Sequence, residues 1–290
     1  MFCAAHLEQR AAFGRERLAR QQNEAEEGHY NRTSHLLLLS SIFNVSNHTP
    51  AAPVWLFDLD NTLHDASHAI FPAISANMNT YIARVLDDGI TPVTQARIDA
   101  ARLGYWKKYG ATLLGMMRHH GVSAADFLRE THDLKDLRAM MRSETGLGRL
   151  LMKLPGRKIL LTNAPLDYST HVMRHLGLGR HFAHHIAIEQ MHVHRQLRPK
   201  PSKLMLARLL RKYGIAARDC ILVEDTLANL KSAKQLGLRT VWITQYLRRF
   251  ERSTLAMARP RRVIRPNYVD VKVKSVRQLP QRLQRLRFFD

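Results

Sequence analysis

The sequence predicts an α/β protein: a doubly wound parallel sheet interrupted after its first strand by a helical insertion. Three observations carry this expectation. Short apolar runs at Val54–Phe57, Ile159–Leu161 and Cys220–Val223 end in polar or acidic residues, as buried parallel strands do, and are too short for helices. From Arg157 onward, strand signals alternate with helical stretches closed by glycine, the pattern of βαβ units. Between the first two strands, about eighty residues carry apolar positions at helical spacing.

Taken in order, residues 1–50 form an extension. Ala4–Glu27 reads as a polar helix and His29–Pro50 is rich in Asn, Ser and Thr, a composition expected to be disordered or loosely packed. Val54–Phe57 is the first strand, followed at once by Asp58 and Asp60. An extended chain alternates faces, so both carboxylates can leave the strand end on one side, where open α/β sheets bind ligands. Two like charges so close repel, so one must bind a cation or hold a proton. An acidic turn that merely caps a strand is the alternative. In the insertion, Ile70–Leu86 reads as a helix, Thr91-Pro92 as an N-cap followed by Pro at the first helical position, and Ser123–Asp126 as a loose capping box. Arg157–Leu161 is the second strand and Asp167–Leu176 a helix stopped by Gly177. A strand lies within His181–Ile188, a helix at Ser202–Tyr213, a strand at Cys220–Val223, a helix at Thr226–Leu236 and a strand at Thr240–Ile243. An arginine-rich loop follows, then a last strand within Tyr268–Val273 and a helix within Gln278–Leu286.

The bulk numbers exclude some classes. With 290 residues, 45% of them hydrophobic, the chain can bury a sizeable core. Cys3 and Cys220 make no disulfide framework and suit a reducing compartment. No apolar run reaches the roughly 20 residues of a membrane span. The N-terminus shows no signal-peptide core, and glutamates interleave Arg10, Arg15, Arg17 and Arg20, which argues against a transit peptide. The expectation is a cytoplasmic protein; no signal for its oligomeric state is present. The net charge of +21 suits either nucleic acid or an enzyme that attracts phosphate esters. About half of it lies beyond Tyr246, where 13 Lys/Arg face 3 Asp/Glu.

Four stretches fall in an order that matters. Val54–Phe57 runs into Asp58-Leu59-Asp60-Asn61-Thr62; Ile159–Leu161 ends in Thr162-Asn163; Lys200 sits within Arg198-Pro199-Lys200-Pro201; and Ile221–Val223 ends in Glu224-Asp225. Each is weak alone. Together they resemble motifs I to IV of the haloacid dehalogenase (HAD) superfamily, which implies a Rossmannoid core with a helical cap in the position called C1. The resemblance divides the chain into an extension (1–50), a catalytic core (51–66 and 148–290, with a basic loop at 247–266) and a cap (67–147). Asp58–Leu63 and the cap segment Tyr105-Trp106-Lys107-Lys108-Tyr109-Gly110-Ala111-Thr112-Leu113-Leu114-Gly115 further resemble the pyrimidine 5'-nucleotidase branch. His64 and Trp106 stand where that branch carries tyrosines.

The resemblance implies a magnesium-dependent phosphomonoesterase working through an aspartyl-phosphate. Asp58 is the implied nucleophile and Asp60 the acid and base, protonated at first because a carboxylate stands beside it. Thr162 and the Asn163 backbone N–H would hold the phosphoryl group, and Lys200 would balance charge; Lys203 competes for that role. Magnesium would take the Asp58 carboxylate, the Asp60 carbonyl and Asp225, with Glu224 behind them. His64, Tyr105, Tyr109 and Leu113 would select the leaving group, with UMP or CMP as the expected substrates. Sugar phosphates and cofactor precursors are the alternative, and a basic nucleic-acid-binding protein with a secondary active site is a further one. Core packing also explains any single cap aromatic. His171, His175, His181, His184, His185, His192 and His194 are read as solvated, since no Cys or HExxH pattern frames them.

Overall fold

The computed structural model describes residues 52–247 and 264–282, together with Leu286. The expectations for residues 1–50 and for most of the basic loop lie outside the described residues. Six strands form one parallel sheet: β1 (Val54–Phe57), β2 (Arg157–Leu161), β3 (His184–Ile186), β6 (Cys220–Glu224), β7 (Arg239–Ile243) and β8 (Val271–Val273), in the order β3-β2-β1-β6-β7-β8. The strand at the centre of the winding, β1, pairs with β2 and β6, so Phe57 lies beside Leu160 and Val223. The chain order reverses on either side of β1, and that is where a doubly wound sheet opens a crevice.

Side-chain alternation builds two cores. Trp55, Phe57, Leu160, Ile221, Val223, Val241 and Ile243 point into one apolar cluster with residues of α6 (Leu147–Lys153) and α7 (Leu166–His175). Leu56, Ile159, Leu161, Cys220, Leu222 and Trp242 point into the other, covered by α8 (Lys203–Lys212) and α9 (Leu227–Gln235). Period two in the strands thus sends neighbours to opposite faces, and helices cover both. The entry to β2 needs Gly156: its φ is +82°, and a Cβ there would stand 1.9 Å from the Pro53 carbonyl oxygen.

Between β1 and β2 run α1 (Ile70–Leu86), α2 (Gln95–Tyr109), α3 (Thr112–His120), α4 (Ala124–Thr131), α5 (Leu137–Met140) and then α6. The first four close a third apolar cluster around Tyr81, Ile82, Ile98, Leu113, Met116, Phe127 and Leu128, to which Ile188 and Leu197 contribute. Ser123 caps α4 as expected, accepting from Asp126 N. Thr91-Pro92 does not start a helix. Asp88 Oδ1 accepts from the backbone of Ile90 and Thr91 and holds that segment in a loop, and α2 begins later with Thr94 as its cap. A short antiparallel hairpin, β4 (His192–Val193) with β5 (Gln196–Leu197), was not expected. Its turn residues His194 and Arg195 both have positive φ. The last helix, α10, spans Leu279–Arg282.

Candidate active site

The strand ends gather the acids. Asp58 follows β1, and its N–H continues the ladder to the Val223 carbonyl at 3.0 Å. Glu224 ends β6 and Asp225 follows it. One carboxylate oxygen from each of Asp58, Glu224 and Asp225 lies within 4.8 Å of the others, the only such group of potential metal ligands among the described residues. Lys200 reaches this cluster from the loop after β5: its Nζ donates to Asp58 Oδ1 at 2.6 Å and to Glu224 Oε2 at 2.8 Å, with all three side chains nearly sealed from water. Three ionised carboxylates against one ammonium would leave an excess of about two negative charges in a buried space. Burial, with Glu224 adding its charge, pushes the Asp58 carboxyl up to about 7 despite Lys200, and burial with Glu224 and Asp58 pushes Asp225 well above the carboxylate range. Burial disfavours the Lys200 charge, yet Asp58 and Glu224 outweigh it and raise that group instead.

The donor set is all oxygen, hard and over-charged, which suits a small divalent cation such as magnesium. Asp225 is half-buried, so the cluster is open on that side. Glu224 belongs to the same ligand-sized group as Asp58 and Asp225 while also bonding Lys200 and the Thr226 N–H.

Asp60 stands apart from this cluster. Its Oδ1 accepts from Tyr168 OH at 2.7 Å and from His64 Nε2 at 2.8 Å. Burial alone would raise its carboxyl, but the His64 bond and charge and the Tyr168 bond together hold it below the usual range. The expectation that a neighbouring carboxylate keeps Asp60 protonated is therefore reversed: Asp58 faces Glu224 and rises, while Asp60 faces donors and falls. The turn that follows Asp60 is fixed by Asn61, at φ +59°, whose side chain exchanges two hydrogen bonds with Ser67. Thr62 Oγ1 donates to Asp58 Oδ2 at 3.1 Å.

Thr162 follows β2, and its hydroxyl accepts from Ala164 N at 3.0 Å, which leaves its hydrogen to donate. The Asn163 side chain has a role the sequence did not suggest. Its Nδ2 donates to the Lys200 carbonyl at 3.0 Å and its Oδ1 accepts from Lys200 N at 2.9 Å, clasping the backbone that carries the lysine. Lys203, the competing lysine, opens α8 and makes no ion pair with Asp58; Lys200 does.

The four residues expected to read the leaving group are spread out. His64 has no exposed surface and bonds Asp60. Leu113 packs inside the helical cluster. Tyr105 and Tyr109 are half-buried and bond His120 and His119 at 2.7 and 2.6 Å, with the Tyr105 and His119 rings stacked at 5.2 Å. The next residue, Gly110, comes near the motif loop: a Cβ on it would lie 3.8 Å from Pro201 Cδ.

Fold and site define a doubly wound α/β protein whose acids converge at the carboxyl ends of the central strands. The haloacid dehalogenase-like hydrolase family matches residues 54–237, and the chain belongs to that family. Among solved structures, CbbY from Rhodobacter sphaeroides in complex with phosphate is 17% identical, with 78% of this chain and 96% of that one covered at a TM-score of 0.52. A HAD phosphatase from Thermococcus onnurineus is 19% identical over 80% and 97%, TM-score 0.50. A 2-haloacid dehalogenase from Pseudomonas syringae pv. Tomato DC3000 is 19% identical over 81% and 99%, TM-score 0.47. At such identities the likeness concerns the fold, and the reaction must be argued from the site.

Proposed function

We propose that the chain is a magnesium-dependent phosphomonoesterase that works through an aspartyl-phosphate on Asp58 and acts on pyrimidine nucleoside monophosphates. The observation that carries the phosphatase reading is the separation of two acids that stand two apart in sequence: Asp58 in an over-charged ligand-sized cluster, and Asp60 outside it in a nest of donors. A dehalogenase of this superfamily has no acid in the Asp60 position.

In this reading Asp58, Asp225 and the Asp60 carbonyl hold magnesium, with Glu224 behind them; bound there, the ion would shield the nucleophile from the phosphate charge. Lys200 holds Asp58 in place and balances charge as the phosphoryl group moves. Thr162 donates its free hydroxyl hydrogen, and the Asn163 N–H a further bond, to phosphoryl oxygens. Asp60 begins ionised, and a phosphate dianion brought against it favours its protonated form. It then gives that proton to the leaving oxygen and takes one from the attacking water.

The pyrimidine assignment rests on the aromatic group of Tyr105, Tyr109 and His119, which offers flat faces and whose segment ends beside the Lys200 loop. Helices between β1 and β2 act as the cap. The test is phosphate release from UMP, CMP, sugar phosphates and 4-nitrophenyl phosphate with and without magnesium. Losing one stacking partner costs roughly 5- to 150-fold in binding, so Tyr109→Ala should impair UMP far more than 4-nitrophenyl phosphate. A wild type that hydrolyses other esters but ignores pyrimidine monophosphates sinks the nucleotide assignment alone.

A further inference from the structure

We infer that Tyr168 is a positioning residue that, together with His64, ties up one oxygen of Asp60 and assigns the transferable proton to the other. The inference rests on the phosphomonoesterase reading above. Both donors converge on Oδ1, Tyr168 OH at 2.7 Å and His64 Nε2 at 2.8 Å. An oxygen of a carboxyl group has two lone pairs, and two donors fill them. The proton that Asp60 gives and takes is therefore carried on Oδ2. Ionised Asp60 can only accept, so Nε2 of His64 carries a hydrogen, and its Nδ1 is left without a partner.

Neither donor can drift. His64 is wholly buried. Tyr168 projects from the first turn of α7, 3% exposed, with its ring in the apolar cluster beneath the sheet. The ring of His132 packs edge-on against it with centroids 5.5 Å apart. His132 is itself anchored at the end of α4, its Nδ1 3.1 Å from the Leu128 carbonyl oxygen and 3.0 Å from Thr131 Oγ1. Tyr168 thus joins a core helix, the turn after β1 and the last large helix of the insertion. It lies 108 residues from Asp60 and in none of the sequence motifs.

The bond changes are simple. In the first half, the Asp58 oxygen–phosphorus bond forms, the bond from phosphorus to the leaving oxygen breaks, and the Oδ2 proton passes to that oxygen. In the second half, water oxygen bonds phosphorus, the bond to Asp58 breaks, and a water proton returns to Oδ2. Oδ1 keeps both its hydrogen bonds throughout. A carboxyl group free to rotate would present the wrong oxygen part of the time, and small misalignments are costly in proton transfer.

The test is Tyr168→Phe, which keeps the ring and its packing. The measurement is kcat/KM on 4-nitrophenyl phosphate, whose leaving group needs little protonation, and on phenyl phosphate, whose leaving group needs more. We expect a loss of about threefold on the first and about 10- to 100-fold on the second. In an Asp60→Asn background, Tyr168→Phe should cost nothing further on 4-nitrophenyl phosphate, because both changes act through one group. Equal losses on the two esters, or an undiminished loss in the Asp60→Asn background, overturn the inference. A wild type that releases phosphate from neither ester nor from UMP overturns the phosphatase reading and takes this inference with it, an outcome visible before any variant is made.

Discussion

Asp58→Asn should abolish turnover and yet stabilise the metal-free protein above neutral pH. The cluster of Asp58, Glu224 and Asp225 holds three carboxylates against the single ammonium of Lys200. Asp58 is pushed up to about 7 from an ordinary 3.8. The folded state therefore binds this proton more tightly than the unfolded chain, so stability falls as pH rises from about 4 to about 7 and stays reduced beyond it. At 1.36 kcal/mol per unit, the ceiling on that loss is about 4 kcal/mol. Asparagine cannot ionise and keeps an acceptor for Lys200, so the variant escapes the loss. Recovering even about 1 kcal/mol would raise Tm by about 2–4 °C in a domain this size. Thermal melts in EDTA at pH 8 and pH 4.5 would show a gain at the higher pH that shrinks at the lower. With excess magnesium the order should narrow or invert, because ligand binding stabilises the wild type and the variant has lost one of three carboxylates. If Asp58→Asn lowers Tm equally at both pH values in EDTA, the cluster is not over-charged and this account of the site fails.

Asn163→Ala removes both bonds to the Lys200 backbone; we expect a loss of about 1–3 kcal/mol in urea unfolding and of about 10-fold or more in kcat as Lys200 loosens. Gly115→Ala places a Cβ 2.2 Å from the Tyr105 ring; the ring must shift off His119, and UMP hydrolysis should suffer more than 4-nitrophenyl phosphate hydrolysis, with about 1–3 kcal/mol of overpacking in the melt. Gly156→Ala meets the Pro53 carbonyl at 1.9 Å with φ at +82°; it should cost about 2 kcal/mol or more by chemical denaturation, and a neutral result would mean that the β2 entry is not fixed as described.

Most of the sheet was legible because its strands are short apolar runs with chemistry at their ends. Val54–Phe57, Arg157–Leu161 and Cys220–Glu224 are neighbours, and Asp58, Thr162 and Asp225 follow them. The signal weakened where local chemistry was ambiguous. Thr91-Pro92 has good capping residues, but Asp88 competes for the same backbone and wins. The β4–β5 hairpin turns through His194 and Arg195, which carry none of the Asn-Gly chemistry that betrays such a turn. Leu113 belongs to a segment resembling a specificity motif, yet it packs among Ile82, Met116 and Phe127; a motif gives proximity in sequence, and burial is decided by which face the helix turns inward.

The pair Asp58 and Asp60 shows where reading residue spacing stops. Two aspartates two apart on one strand end are chemically the same residue, and their mutual repulsion alone would raise one without saying which. Groups far away in sequence break the tie. Glu224 and Asp225 arrive at the end of β6 and add negative charge around Asp58, while Tyr168 arrives on α7 and, with His64, surrounds Asp60 with donors. One carboxylate is thereby driven toward binding a cation and the other toward holding a negative charge at a fixed oxygen. Moving charge between the two environments should swap these tendencies. Glu224→Gln takes away the charge that, after burial, does most to raise Asp58, so the Asp58 carboxyl should titrate lower in the metal-free protein while Asp60 stays where it is. Carboxyl carbon NMR titration of the two residues reads each separately, and a parallel shift of both would show that they titrate as one coupled pair rather than as two separately tuned acids.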